Sequence, residues 1–291
     1  MNLKNRGKDF CIFALPGIFC FLAVVMVPFV YGVYLTMTDW NGVSAVKNFV
    51  GLKNFAKMLK DMQFWSSLGL TFKYVIVVVI LVNVIAFLLA YLLTRGFKGQ
   101  NFFRAGFFTP NLIGGIVLGY IWQFVFSRVF VKIGELTGWS LFECSWLSRP
   151  NTAFAALVLV TVWQLSGYMI LIYVAGFMGL DVEVMEAASI DGASGWTKMK
   201  NIIMPLMMPS VTICLFLTLT NCFKLFDQNL ALTAGGPAKK TAMLAYDIYT
   251  TFYNRNGWEG VGQAKAVIFF IIVAAISLTQ LYFTRRKEVE N

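Results

Sequence analysis

The sequence predicts an all-α polytopic membrane protein, and three observations carry that prediction. Of the 291 residues, 58% are hydrophobic and only 13% are charged. The mean hydropathy is +0.71, whereas a soluble domain carries about 25% charged residues. Six windows of at least 19 residues contain no Asp, Glu, Lys or Arg, and each is long enough to cross a bilayer as a helix.

The six uncharged windows place the transmembrane helices. A helix of about 20 residues covers roughly 30 Å, the thickness of the hydrocarbon core. The next longest gaps between charges, such as 62–72, are much too short. We therefore predict one membrane domain, 1–291, with spans at about 10–36, 72–94, 105–127, 152–179, 203–223 and 265–284.

The first span begins after Lys4, Arg6 and Lys8, a pattern that a cleaved signal peptide also has. Its uncharged stretch, 10–38, is longer than the apolar region of a signal peptide, and it ends in the bulky "YGVYLTM". An uncleaved first span is therefore the better prediction.

The distribution of basic residues predicts the orientation. An even number of spans puts both termini on one side, and basic residues are dense at the helix exits "RGFKGQNFFR" and "TRRK". The positive-inside rule then gives N-in and C-in. The segments 39–73, 128–149 and 224–265 become external. Within the first, "LKNFAKMLKDMQFWSSL" has apolar residues at helical spacing and predicts a short surface helix.

The composition excludes several kinds of site. The chain has no histidine, which removes His-based acid–base catalysis, Ser-His triads and the usual zinc sites. None of the five cysteines forms a CxxC pair, so neither a metal knuckle nor a disulfide framework is predicted. The net charge of +10 is scattered between apolar blocks. It therefore predicts contact with lipid headgroups rather than with nucleic acid.

Energy coupling within the chain is also disfavoured. The six windows contain no carboxylate, which argues against a proton-driven carrier but leaves backbone-built sodium sites open. "GGPAKKT" is not a phosphate-binding loop, because Lys239 stands where that motif needs a glycine before Lys240. The sequence thus predicts no cofactor in this chain.

A polar insert, 181–203, separates the fourth and fifth spans. Val184, Met185 and Ala188 share one face of a short predicted helix, which Gly192 ends by permitting a positive φ. A second short helix begins near Ser194. A helix–glycine turn–helix lying on the membrane surface suits either protein docking or headgroup binding, and both interpretations stay open.

The insert "EAASIDGASGWTKMKNIIMPLMMP" resembles the EAA loop of permease subunits in ATP-binding-cassette importers. Met199 stands where that family usually has an aromatic residue. In the family this helix docks into a cleft of a cytoplasmic ATPase and conveys its closure to the membrane. The resemblance implies ATPase-coupling roles for Glu186, Ala187, Ala188, Asp191, Gly192 and Ala193, and the match extends to Ile202, Pro205 and Pro209.

Further matches narrow the resemblance. "FDQNLALTAGGPAKKT" is similar to the FD…LT-x-GGP…T stretch of sugar-uptake permeases, and "TRRKEVEN" suits the maltose-permease large-subunit-like half. The resemblance implies a bacterial cell-membrane subunit that is not itself an enzyme. Its implied partners are a homologous second permease, two cytoplasmic ATPase subunits that hold ATP and Mg, and an extracytoplasmic sugar-binding protein. Mono-, di- and oligosaccharides and a glycerol phosphodiester all fit.

Amides, hydroxyls and rings suit a sugar pathway, because sugars are neutral polyols. One candidate stripe lies on the fourth span and one on the fifth, the two spans that line the cavity in sugar importers of this family. Hydrogen bonding between helices is the alternative interpretation, and Lys224 and Asp227 form either a rim pair or a contact for the binding protein. The candidate pathway residues are Thr161, Gln164, Leu165, Tyr168, Thr218, Asn221 and Cys222.

The sequence therefore predicts a permease subunit of an ATP-driven carbohydrate importer that works by alternating access. A stand-alone ion-coupled secondary carrier is the alternative, and a non-transporting membrane scaffold is a third possibility.

Overall fold

A computed structural model describes residues 10–96 and 98–288. The basic residues at 4, 6 and 8 and the last residues of the tail, 289–291, lie outside the described residues. Within the described part the regular elements are helical, and the only extended pairing is an isolated antiparallel bridge between Thr38 and Phe49. The helices are α1 (Ile12–Leu35), α2 (Lys53–Leu59), α3 (Met62–Leu93), α4 (Gln100–Phe108), α5 (Gly115–Thr137), α6 (Pro150–Met178), α7 (Val182–Ile190), α8 (Gly195–Leu206), α9 (Met208–Phe223), α10 (Leu244–Asn254) and α11 (Glu259–Arg285).

Five of the described helices are long and apolar enough to cross a membrane, and a sixth span results if the bent pair α8 and α9 counts as one. The two helices of that pair meet at 68°. Pro205 and Pro209 flank the bend at the opening turns of α8's last segment and of α9. Proline lacks the N–H that would continue the hydrogen-bond ladder, so a bend is least costly there.

The helix boundaries differ most from the expected spans at two places. The expected third span, 105–127, is broken, because α4 ends at Phe108 and a 3₁₀ turn around Pro110 precedes α5. Helix α5 then continues beyond 127 to Thr137. Helix α3 begins at Met62, ten residues before the expected start at 72. The carboxylate of Asp61 accepts a hydrogen bond from the Gln63 N–H at 3.0 Å and so starts that helix early.

The described chain divides into two units, one holding residues up to Phe64 together with Ile248–Phe270, and the other holding Trp65–Asp247 together with residues from Ile271 onward. In the second unit, α3 presents one completely buried ridge with the four-residue spacing of a helix face. It comprises Tyr74, Val78, Val82, Ala86 and Ala90, all 0% exposed. The opposite face of α3, with Ile76, Ile80, Val84 and Leu88, is apolar and exposed, as expected for a helix that also contacts lipid.

Small residues let α6 approach its neighbours closely. A Cβ at Gly167 would lie 1.9 Å from the carbonyl oxygen of Phe107 in α4. A Cβ at Gly176 would lie 2.3 Å from the Ser210 hydroxyl in α9. Membrane helices rely on such close backbone approaches, because burial of apolar surface from lipid gives little driving force. These contacts hold α6 close to α4 and α9 within the second unit.

In the first unit, a buried cation is held by a carboxylate. Lys265 is 0% exposed, and its ammonium lies 2.8 Å from Asp61 and donates to the Thr251 hydroxyl at 2.8 Å. Arg255 also contacts Asp61, at 3.1 Å. Burial opposes ionisation of Asp61, but the hydrogen bond and charge of Lys265 outweigh it and hold the pKa of that carboxyl below its ordinary value. The cluster ties α10 and α11 to the start of α3.

Candidate functional site

A polar cavity of about 310 Å³ lies in the second unit where α6 and α9 meet the turn before α5. Helix α6 contributes Thr161, Gln164 and Leu165, whose spacing of three and four residues puts them on one helix face. Helix α9 contributes Asn221. The remaining lining residues are Asn111, Gly115, Lys224, Leu225, Phe226, Asp227 and Gln228.

A continuous chain of hydrogen bonds runs along one wall of this cavity. The Tyr74 hydroxyl donates to the Thr161 hydroxyl at 2.6 Å, which in turn donates to the side-chain oxygen of Gln228 at 2.5 Å. The Gln228 amide donates to the side-chain oxygen of Gln164, whose own amide donates to the Ile113 carbonyl at 2.9 Å. Four separate segments are thereby joined, and Thr161 and Gln164 are occupied by this protein-internal network.

Asn221 differs from the network residues in its exposure. Its amide N–H donates to the Leu217 carbonyl one turn back at 2.8 Å. The side chain is exposed to the cavity, and its oxygen has no partner among the described residues. Amide groups of this kind form hydrogen bonds with ligand hydroxyls. Asn221 is therefore the predicted pathway residue best placed to contact a solute.

Three of the candidate pathway residues lie outside the cavity. Thr218 and Cys222 are each 0% exposed, and Thr218 donates to the Cys214 carbonyl at 2.7 Å. Both occupy the packed face of α9. Thr218 lies about one turn before Asn221, and Cys222 directly follows it. Tyr168 is 40% exposed and does not line the cavity. The structure thus brings together Thr161, Gln164, Leu165 and Asn221 and separates the other three from them.

The segment after α9 supplies lining residues that helix periodicity did not indicate. Gln228 and Asn229 are buried at 3% and 0% exposure, although their segment falls within the expected external region. The Asn229 side chain accepts from the Met243 N–H at 2.9 Å and donates to the Thr241 carbonyl at 2.8 Å. Those bonds hold 228–243 folded back into the bundle. Irregular backbone is tolerated there because protein groups satisfy it.

Charged groups stand beside the amides of the cavity. Lys224 and Asp227 are both exposed, and no ion pair within 4.0 Å joins them in the described structure. Gly115 makes room for Asp227, because a Cβ there would lie 2.8 Å from the Asp227 Cβ. The lining therefore combines amides, one hydroxyl, one cation and one anion. Among the described residues no group of three Asp, Glu or Cys is placed to hold a metal ion.

A second cavity of about 820 Å³, between α3, α5 and α6, is lined almost entirely by apolar side chains. Its aromatic and aliphatic residues include Leu81, Trp122 and Trp163. A polyol placed there would lose its hydrogen bonds to water without replacement. The smaller polar cavity is therefore the better candidate for a polar solute.

The insert 181–203 forms two helices joined by a tight turn. Asp181 caps α7 by accepting from the Glu183 N–H at 2.8 Å. Gly192 has φ of +73°, and the N–H groups of Gly192 and Ala193 donate to the carbonyls of Ser189 and Ala188 at 3.2 and 3.0 Å. This pair of bonds is the Schellman arrangement, which needs a left-handed residue at Gly192.

The coupling residues predicted in α7 and its turn divide by exposure. Glu186, Ala187, Asp191 and Gly192 are exposed, whereas Ala188 is 6% exposed and packs inward. Ala193 is half-buried.

Two large apolar side chains without a role in the sequence-based prediction stand beside them, Ile190 at 86% and Trp196 at 76% exposure. Apolar residues flanking a glycine turn in a polar insert were the signal that could have identified them. We call the turn 190–196 the exposed tip, and nothing in the described chain covers it.

Comparison with known proteins agrees with the fold. A crystal structure of a bacterial ABC transporter that imports the acidic polysaccharide alginate superposes with a TM-score of 0.80 over 97% of this chain and 98% of that chain, at 19% identity. A second structure, of the alginate transporter in complex with an alginate pentasaccharide-bound periplasmic protein, gives a TM-score of 0.81 over 97% and 96%. The all-helical fold of such permeases is thereby confirmed for this chain.

Sequence comparison identifies the family. The probable starch degradation products transport system permease protein AmyD of Thermoanaerobacterium thermosulfurigenes is 44% identical over 98% of this chain and 97% of its own length. The multiple sugar-binding transport system permease protein MsmF of Streptococcus mutans is 30% identical over 90% of each. The family model described as "binding-protein-dependent transport system inner membrane component" matches residues 82–289. The chain therefore belongs to this family of inner-membrane permease components, which are transport subunits rather than enzymes.

Proposed function

We propose that this chain is the permease subunit of an ATP-driven carbohydrate importer and forms half of its translocation pathway. It works in a bacterial cell membrane, with both termini inside, beside a homologous second permease. Two cytoplasmic ATPase subunits supply ATP and Mg, and an extracytoplasmic binding protein delivers the sugar. AmyD and MsmF, whose names refer to starch degradation products and multiple sugars, support the sugar class.

The exposed tip of α7 and α8 is the observation that carries this proposal. Ile190 and Trp196 present large apolar side chains to solvent at a rigid turn, with Glu186 and Asp191 beside them. Burying one such side chain in a partner's cleft gains about 1.5–3 kcal/mol. A capped helix ending in apolar residues and flanked by carboxylates fits a docking element for an ATPase subunit.

The connection from this tip to the pathway supports alternating access. Helix α8 continues through the 68° bend directly into α9, which carries Asn221 into the polar cavity. Ala188 and Ile203 anchor the two insert helices, because both are buried. A displacement of the tip by a closing ATPase therefore moves α8 and changes the position of Asn221. Two states that differ in this way alternately expose the cavity to the two sides.

The cavity supports a neutral polyol as the solute. Its amides and hydroxyl offer both donors and acceptors, and the single cation and single anion leave no net charge. In this proposal Asn221 bonds a sugar hydroxyl, while Gln164 and Gln228 hold the wall in place.

Reconstitution tests the proposal directly. The chain is co-purified with its partner permease, with and without the ATPase subunits, and labelled sugars from mono- to oligosaccharide are offered to the vesicles with the binding protein. The expected result is uptake that requires ATP, the ATPase subunits and the binding protein together. Uptake driven by an ion gradient without ATPase subunits would instead identify a secondary carrier, and absence of substrate-stimulated ATP hydrolysis would identify a scaffold.

A further inference from the structure

A third cavity, of about 390 Å³, lies between the ends of α3 and α6 and the helices α7 and α8. We call it the coupling-loop cavity. Its lining includes the apolar side chains of Phe177, Leu180 and Ile203. Two cations, Arg95 and Lys198, also line it. No Asp or Glu belongs to the lining.

Neither cation has an anionic partner in the described structure. Arg95 donates to the Tyr91 hydroxyl at 2.6 Å and stacks over that ring at 4.5 Å. Lys198 donates to the Ser189 hydroxyl. The ion pairs found among the described residues involve other cations. A guanidinium has five N–H donors and an ammonium three, so most of these donors have no protein partner among the described residues.

Two cations without an anionic partner and several apolar side chains line the same cavity, and this combination suits one ligand chemistry in particular. A phosphate anion satisfies both cations, and attached acyl chains gain from contact with Phe177, Leu180 and Ile203. Basic pockets between membrane helices bind anionic headgroups in this way. A free inorganic phosphate satisfies the cations but gains nothing from the apolar wall, and it loses water on entry.

We propose that the coupling-loop cavity binds the phosphate of an anionic glycerophospholipid between Arg95 and Lys198. The orientation of the proposed function places the site at the cytoplasmic leaflet, and the proposal rests on it in that respect. Because Arg95 follows α3 and Lys198 belongs to α8, one bound headgroup joins the membrane bundle to the insert that carries the exposed tip. The bound lipid thereby stabilises the position of the insert 181–203 against the ends of α3 and α6.

Lipid binding is measured on the assembled importer by native mass spectrometry, with phosphatidylglycerol, phosphatidylcholine and inorganic phosphate as separate probes. The double variant Arg95→Gln with Lys198→Gln removes both charges and keeps a polar side chain at each position. The matched control, Lys98→Gln with Lys200→Gln, removes two neighbouring exposed cations that do not line the cavity. A second double variant, the charge-retaining pair Arg95→Lys with Lys198→Arg, changes both side chains but keeps both charges, so it separates the loss of charge from a folding defect.

Each cation near an anionic lipid contributes about a fivefold gain in affinity. We therefore expect the double variant to bind phosphatidylglycerol about 25-fold more weakly. The control and the charge-retaining pair are expected to keep wild-type affinity.

Equal phosphatidylglycerol binding by the double variant and the wild type would overturn the proposal. Three other results would overturn it as well. They are phosphatidylcholine binding as tight as phosphatidylglycerol binding, an equal loss of phosphatidylglycerol affinity in the control variant, and inorganic phosphate binding as tight as phosphatidylglycerol binding. Lipid counting needs no transport, so a failure of ATP-dependent uptake is distinguishable from a failure at this site.

Discussion

Replacing Gln164 and Asn221 separately by leucine distinguishes a structural amide from a solute-binding amide. Both residues line the polar cavity, and the sequence alone assigns them the same role. In the structure Gln164 bonds to Ile113 and Gln228 within the protein, whereas the Asn221 side-chain oxygen has no partner. The two variants should therefore fail in different measurements.

The expected stability cost of Gln164→Leu follows from the bonds it breaks. Two hydrogen bonds are lost, and hydrogen bonds between membrane helices contribute about 0.6 kcal/mol each. The Ile113 carbonyl and the Gln228 amide also lose a partner, and a buried unsatisfied group costs about 1–3 kcal/mol. The total destabilisation expected is therefore between about 1 kcal/mol, the loss of the two bonds alone, and about 6 kcal/mol, the cost if both groups stay unsatisfied.

Asn221→Leu leaves the network intact. Its one internal bond is a contact with the preceding turn of α9, which contributes little to helix stability. The loss of a hydrogen bond to a sugar hydroxyl costs about 0.5–1.5 kcal/mol, which is about a 2- to 12-fold rise in the KM for uptake. The unfolding midpoint should remain at the wild-type value.

Both variants are tested in the same preparation. Denaturant unfolding in detergent gives the free energy of unfolding, and sugar uptake into vesicles holding the complete importer gives KM and the maximal rate. Thr218→Val serves as a matched control on α9, since Thr218 is buried away from the cavity and bonds only its own helix. Its KM should stay unchanged.

The reasoning would be refuted by a reversal of this pattern. If Gln164→Leu unfolds like the wild type while its KM rises, the amide network has no structural role and Gln164 contacts the sugar. If Asn221→Leu leaves KM unchanged, the polar cavity assignment is wrong.

Three further predictions concern other parts of the structure. Gly192→Val strains a left-handed residue by about 1–2 kcal/mol and should abolish substrate-stimulated ATPase activity in the reconstituted importer. Gly195→Val is the control, because Gly195 is equally uncrowded but has no positive φ, and it should retain that activity. Gly167→Ala inserts a Cβ 1.9 Å from a carbonyl oxygen and should lower the free energy of unfolding by about 1–3 kcal/mol. Gly106→Ala, with open space around its Cβ, should not lower it, and equal values for the two variants would contradict the close helix crossing. Asp61→Asn removes the carboxylate that lies 2.8 Å from the buried Lys265 ammonium and should cost about 3–5 kcal/mol. The pKa of Asp61 is lowered in the folded state. Its stabilisation is therefore present above the carboxyl's unfolded pKa and is lost as the pH falls through the folded pKa. The melting temperature of the variant, measured as a function of pH, should lack this decrease on the acid side.

The sequence by itself determined the class of the protein. A continuous uncharged window of about 20 residues satisfies its backbone in lipid as a helix, so the sequence predicts an all-helical membrane fold. The spaced motif around Glu186 and Asp191 likewise identified the family and the turn at Gly192, because only a residue that tolerates positive φ ends a helix in this way.

Tertiary structure alone decided which polar residues meet. Helix periodicity placed Thr218 and Asn221 on a common stripe, yet only Asn221 reaches the cavity, because the close contacts of α6 and α9 fix the rotation of α9. Gln228 enters the bundle because bonds from Asn229 fold its segment back. Such contacts join residues far apart in the chain, so no local pattern of charge or hydropathy encodes them.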